Sequence, residues 1–186
     1  MKKLKLVIVA IGIAFTSCQK KADPFLVTPT SVGALTNTST VSDLETIFAN
    51  DSIVKHIAGD EFVGNSNNIE IFDKQGNQLL ILEVKDELDS TATFKNIRVV
   101  DPRFKTEKGF NAASTFKELT ENYTISKITN TLSVAMVTID EINAYVAINK
   151  KELPEALQFD TRSKIEATQI PDTAKIKYFW LDWDKN

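Results

Sequence analysis

Histidine and cysteine are almost absent: the 186 residues hold one of each, His56 and Cys18. One histidine excludes a multi-histidine zinc site and the His-Glu-x-x-His helix of zinc proteases. A serine hydrolase would have only His56 as its base, and no Gly-x-Ser-x-Gly elbow presents a serine. His56 is therefore expected to be a surface or capping residue rather than a catalytic one. A single cysteine allows no intrachain disulfide, and the Asp-x-Asp-x-Asp-Gly pattern of a calcium loop is missing. Gly59 to Ser66 has the glycine spacing of a phosphate loop, but Asn65 stands where the phosphate-binding lysine belongs, so no nucleotide is expected. No cofactor or metal is expected either. Long apolar runs are also lacking: the longest, Leu6 to Phe15, has ten residues, whereas a spanning helix takes about twenty. Nor is there a basic cluster. Lys plus Arg number 22 against 25 Asp plus Glu, a net charge of −3, which argues against nucleic acid and against peripheral binding to anionic lipid.

The start of the chain does carry a signal. Lys2, Lys3 and Lys5 precede the apolar run, and Thr16-Ser17 are small residues before Cys18. Basic region, short apolar region and small-residue cleavage site are the parts of a secretory signal. Phe15-Thr16-Ser17-Cys18 resembles the lipobox of bacterial lipoproteins, with Phe15 where that family usually has Leu, Val or Ile. The resemblance implies removal of residues 1–17 and lipidation of Cys18, with two or three acyl chains, enough for stable anchoring. Loss of the three lysines would shift the net charge from −3 to −6 over the 169 residues from Cys18. The style of the signal resembles lipoproteins of the Bacteroidota, where surface display implies acidic residues just after the cysteine. Lys20 and Lys21 depart from that pattern, so the expected address is the outer membrane, facing the periplasm. Asp51-Ser52-Ile53, Asp89-Ser90-Thr91 and Asp172-Thr173-Ala174 resemble O-glycosylation acceptors of such envelopes.

Residues 18–31, with Pro24 and Pro29, read as a tether in which Phe25-Leu26-Val27 could form a small edge strand. Residues 32–186 read as one domain, large enough to bury roughly 70% of its unfolded surface without disulfides. Val41, Leu44, Ile47 and Phe48 make an apolar stripe behind a capping box of Thr40 and Asp43. Strands are predicted at Ile69–Phe72, Gln78–Val84, Phe94–Val100, Thr131–Thr138, Asn143–Ile148, Lys164–Gln169 and Ile176–Trp183, with helical turns between Lys150 and Leu157 interrupted by Pro154.

Ser39 to Phe48 can be laid over Ser114 to Tyr123 at a constant offset of 75. Ser-Thr, an apolar residue, an acid, Leu and an aromatic recur, Ile53 aligns with Ile128, and Gly33 and Gly109 precede the two segments. Two pseudo-repeated units of capped helix plus hairpin are expected, about 32–104 and 108–186, in an α+β fold with antiparallel sheet. The arrangement resembles β-lactamase-inhibitor-like and outer-membrane-assembly lipoprotein folds, which implies a binding or scaffold protein.

Two sets of residues could carry a site. Tyr178, Trp180 and Asp182 share one face of the last predicted strand, and Phe179, Leu181 and Trp183 the other. The plain expectation is a strand covered on both sides. The sharper one leaves Tyr178 and Trp180 exposed for binding. The acids Asp86, Glu87 and Asp89 fall in a predicted loop, as do Asp60 and Glu61. Three functions follow in order: a non-catalytic, lipid-anchored module that binds another envelope protein; an inhibitor or immunity protein whose acidic loop plugs a periplasmic hydrolase; and a small hydrolase acting on glycan through paired carboxylates.

Overall fold

The computed structural model describes residues 23–56, 68–86 and 89–184. Cys18, Asp60, Glu61 and Glu87 lie outside the described residues. The fold is α+β. Its frame is an eight-stranded, wholly antiparallel sheet built from β4 (Ser52–Lys55), β5 (Asn68–Phe72), β6 (Gln78–Val84), β7 (Phe94–Val99), β9 (Lys127–Asn130), β10 (Val134–Ile139), β11 (Ala144–Asn149) and β12 (Ile176–Asp182). The order is β4-β5-β6-β7-β12-β11-β10-β9. Two four-strand meanders therefore meet at their last strands, with Phe179 opposite Val99 and Leu181 opposite Ile97. A small sheet of β3 (Leu35–Thr36), β2 (Ser31–Val32), β1 (Leu26–Thr28) and β8 (Lys105–Thr106) contains the one parallel pairing among the described strands, β1 with β8. Val27 is buried, so the folded part includes residues that the sequence assigns to a tether.

Alternation explains the sheet. Ile69, Ile71, Leu80, Leu82, Ile97, Val99, Val137, Val146, Phe179 and Leu181 point to one face and are almost wholly buried. Phe116 and Leu119 of α2 (Phe116–Asn122) and Phe110 join the same core, and the Phe110 ring meets Phe179 edge-on at 5.3 Å. Trp183 closes the layer from the end of β12. Its Nε1–H donates to the Pro29 carbonyl at 3.1 Å and its backbone N–H to that of Lys95 at 2.7 Å.

The two Ser-Thr segments behave as local chemistry requires. The Asp43 carboxylate accepts from the Thr40 N–H at 2.8 Å, and that of Glu118 from the Thr115 N–H at 2.7 Å. Contacts one residue further on also correspond at the offset of 75. Val41 and Ser42 donate to the carbonyls of Ala92 and Ser90, ahead of β7, while Phe116 and Lys117 donate to those of Ala174 and Asp172, ahead of β12. Gly33 and Gly109 both have positive φ, and a Cβ on Gly33 would meet the Pro24 carbonyl. The halves differ in their last connection, residues 85–93 in one and 150–175 in the other. Because Thr115 tethers α2 at its first turn, Thr115→Ala is expected to lower unfolding free energy by about 1 kcal/mol, read from a urea titration.

Two sequence expectations need correction, and one strand was not expected. The first helix is a 3-10 turn, Val41–Asp43, followed by the single α-turn α1 (Leu44–Ile47), because the polar Asn50-Asp51 leads directly into β4. Lys164–Gln169 is not a strand: Ile165 is buried from an irregular segment, and Ala167–Gln169 form a 3-10 turn. β9 is a strand that carries a single strongly apolar residue, Ile128. The helical turns after β11 are a 3-10 turn at Lys150–Glu152 and α3 (Glu155–Gln158), separated by Pro154 as expected. No helix among the described residues is long and apolar enough to cross a membrane.

Candidate functional site

The second face of the large sheet carries no large, fully buried side chain. Strand pairing lines up one row across all eight strands: Val54, Glu70, Ile81, Arg98, Trp180, Tyr145, Thr138 and Lys127, each directly opposite the next. At its centre the Tyr145 and Trp180 rings lie near-parallel, 6.1 Å between centroids and 14° apart. The Arg98 guanidinium lies 3.8 Å over the Tyr178 ring and 5.9 Å from that of Trp180. Four side chains from three strands thus form an aromatic and cationic patch, half-buried among themselves and open to solvent.

Acids flank the patch. Asn96 donates to Glu83 at 2.6 Å, Lys95 pairs with Glu83 at 2.8 Å, and Asp182 is opposite Asn96. Burial, reinforced by the charges of Glu83 and Asp182, pushes the Tyr145 hydroxyl up to about 12. It therefore remains a proton-bearing donor at every physiological pH. Beside it opens a cleft of about 430 Å³ lined by Tyr145, Asn96, Asp140, Asp182 and Asp184. No group of three His, Cys, Asp or Glu among the described residues is placed to hold a metal.

Tyr178 and Trp180 share the open face and are half-buried there, while Phe179, Leu181 and Trp183 form the buried face. The strand is covered on one side and only half covered on the other. Arg98 and Tyr145 complete the patch. Neither could be selected from the sequence, since only the pairing of β12 between β7 and β11 makes them neighbours; an Arg and a Tyr on alternating strands were the available signal.

The acidic loop is elsewhere. Asp86 and Asp89 lie in the connection between β6 and β7 and do not line the cleft. Asp89 accepts from the Thr91 hydroxyl at 2.6 Å and the Thr91 N–H at 2.8 Å, bonds that hold its carboxyl below the usual range. A lowered value is the wrong direction for a proton-donating acid. Beyond Asp89 the connection is held by the bonds from Val41 and Ser42 to Ala92 and Ser90. His56 follows β4, its Nε2 3.5 Å from Glu70.

A second charged cluster is structural. Arg103 bridges Asp73 in the β5–β6 turn at 2.7 Å and Asp101 at 2.8 Å. Burial opposes ionisation of Asp73, but the Asn77 N–H and amide, Arg103 and the Gln75 N–H together outweigh it and bring the carboxyl down to about 2. A carboxylate with a depressed value contributes stability that is complete above its ordinary 3.8 and is lost as pH falls towards 2. Arg103→Met is therefore expected to lower the melting temperature at neutral pH. That deficit should shrink as pH falls from about 4 to about 2, in thermal melts followed by circular dichroism.

No protein-family model matches the chain, and no curated protein matches it. Among solved structures it is similar to the uncharacterized protein yfeY from Escherichia coli, with a TM-score of 0.54 and 13% identity over 84% of this chain and 98% of that one. The likeness is one of fold.

Proposed function

We propose that the chain is a non-catalytic binding module of the bacterial envelope, held at the outer membrane by lipid on Cys18, facing the periplasm and gripping another envelope protein through the open face of its large sheet. The observation that carries the reading is the central patch of Arg98, Tyr178, Trp180 and Tyr145. Aromatic side chains and arginine dominate the energetics of protein interfaces, and here they are presented side by side on rigid strands. The flanking Asn96, Asp182 and Glu83 supply the polar rim that such an interface needs. Short tethering to a membrane would add a high local concentration of neighbouring envelope proteins to any direct affinity.

Crosslinking and affinity capture from native envelopes, with the full lipidated protein carrying a C-terminal tag, tests the reading. One reproducible protein partner, lost on Trp180→Ala, is expected. No partner above background from correctly placed, folded protein would refute it. The partner's identity separates a scaffold from an inhibitor: the second requires a hydrolase whose activity falls on binding and recovers with Asp86→Ala/Asp89→Ala.

A further inference from the structure

Three large apolar side chains are exposed among the described residues: Val54, Leu132 and Phe159. Leu132 is 83% exposed and Phe159 88%, and these two line the same shallow cleft of about 340 Å³. Neither is on a loose end. Leu132 is in the turn between β9 and β10, closed by the Thr131 N–H donating to Val134, and Phe159 ends α3. The buried Lys150 ammonium donates to the Asn130 side chain and the Asp160 carbonyl, fastening the segment after α3 to β9. The other charged groups lining the cleft are Lys151 and Lys177, and none of the described residues lining it is acidic. In a chain of net charge −3 the local sign is reversed. Net charge averages over the surface, which is why composition argues against contact with anionic lipid while this patch argues for it.

A second observation is the end of the large sheet at which the first described segment lies. One end of the large sheet holds the β5–β6 turn, the β9–β10 turn, the end of β11 and the start of β12, as the pairs Phe72 with Gln78, Val134 with Asn149 and Ile148 with Ile176 require. Leu132 and Lys177 belong to that end. So does the first described segment: Pro24 and Phe25 share a cleft with Asp51, Asp73 and Arg103, and Arg103 lies 5.0 Å over the Phe25 ring. Cys18 precedes Asp23 by five residues, a reach of about 18 Å at most when extended.

We infer that this end of the sheet is a membrane-contact face, with Leu132 and Phe159 entering the headgroup region and Lys151 and Lys177 among the lipid phosphates. Its orientation rests on lipidation of Cys18. Lysine stems lie along an apolar surface while their ammonium groups stay with water and phosphate, so the mixture suits an interface and not a protein core.

Cys18 is the only cysteine, so the chain from residue 18 with Cys18→Ser carries one reactive thiol wherever one is introduced. An environment-sensitive fluorophore goes on Ser133→Cys, within the cleft, or on Asp140→Cys, at the opposite end of the sheet. An N-terminal hexahistidine tag holds the protein on vesicles of phosphatidylethanolamine and nickel-chelating lipid, with or without phosphatidylglycerol. A blue shift and quenching by spin-labelled lipid are expected at 133 and absent at 140. The shift should grow with phosphatidylglycerol and collapse with Leu132→Ser/Phe159→Ser. A label at 133 as polar as in buffer, an equal shift at 140, or a shift indifferent to Leu132 and Phe159 would overturn the inference. Anchoring is read separately from the mass of the N-terminal peptide of native protein: an unmodified Cys18 overturns the lipid anchor, while the tethered labels still report on the face.

Discussion

Replacing Trp183 by alanine is expected to remove about 3–5 kcal/mol of unfolding free energy, the range for deleting a large buried aromatic. Trp183 is 1% exposed and touches both sheets, through its indole to Pro29 and its backbone to Lys95. Deleting it leaves a cavity under the seam between them and strands the Pro29 carbonyl. A single domain has only about 5–15 kcal/mol in all, so the variant should unfold at a much lower urea concentration, read from the denaturation midpoint. Trp183→Phe separates the contributions. It keeps most of the volume and loses the indole N–H, and should cost about 1 kcal/mol for the bond and a little more for the gap. Equal losses in the two variants would mean that packing is not what Trp183 supplies.

Trp180→Ala should behave in the opposite way. Trp180 is three residues earlier, within β12 and on its open face, half-buried beside Tyr145. Its removal leaves the core intact, so the fold should persist with a minor drop in stability. Affinity for the captured partner should fall by about 2 kcal/mol, some thirtyfold in Kd, as for an aromatic anchor at the centre of an interface. Lys127→Ala, at the far end of the same row, is the control and should change Kd little. Isothermal titration of the three proteins decides the matter. A Trp180→Ala protein that binds as the parent does would move the interface off this face, whereas loss of binding with loss of fold would show up in the melt.

What could be read from the sequence was local. Capping pairs, the turn at Gly76, and strands such as Gln78–Val84 follow from interactions within a few residues. What escaped is what depends on distant partners. β9 contributes Ile128 alone to the apolar pattern, and it is a strand because β10 beside it offers a full edge of backbone groups. Lys164–Gln169 misled because Ile165 and Ala167 alternate with polar residues, as any loop does when one side of it is pinned to a core. The binding candidates divided along the same line. Tyr178 and Trp180 stood out as a dense aromatic run, whereas Arg98 and Tyr145 acquire meaning only across strand pairs. Leu132 and Phe159 were unremarkable as single apolar residues and became informative once both were seen exposed beside the same lysines.

The meeting of β7 with β12 bears on when this protein can fold. The two strands are some eighty positions apart, as in Val99 with Phe179, and the Trp183 side chain reaches a carbonyl 154 residues earlier. During synthesis, strands β4 to β7 can zip together while the partner of β7 is still unmade. The sheet cannot close through its middle until β12 has been delivered. Contacts this distant in sequence form slowly, and they leave a β-edge unpaired in the meantime. Under the export proposed above, late closure would be an advantage, because β12, which completes the core, would cross the membrane after β4 to β11.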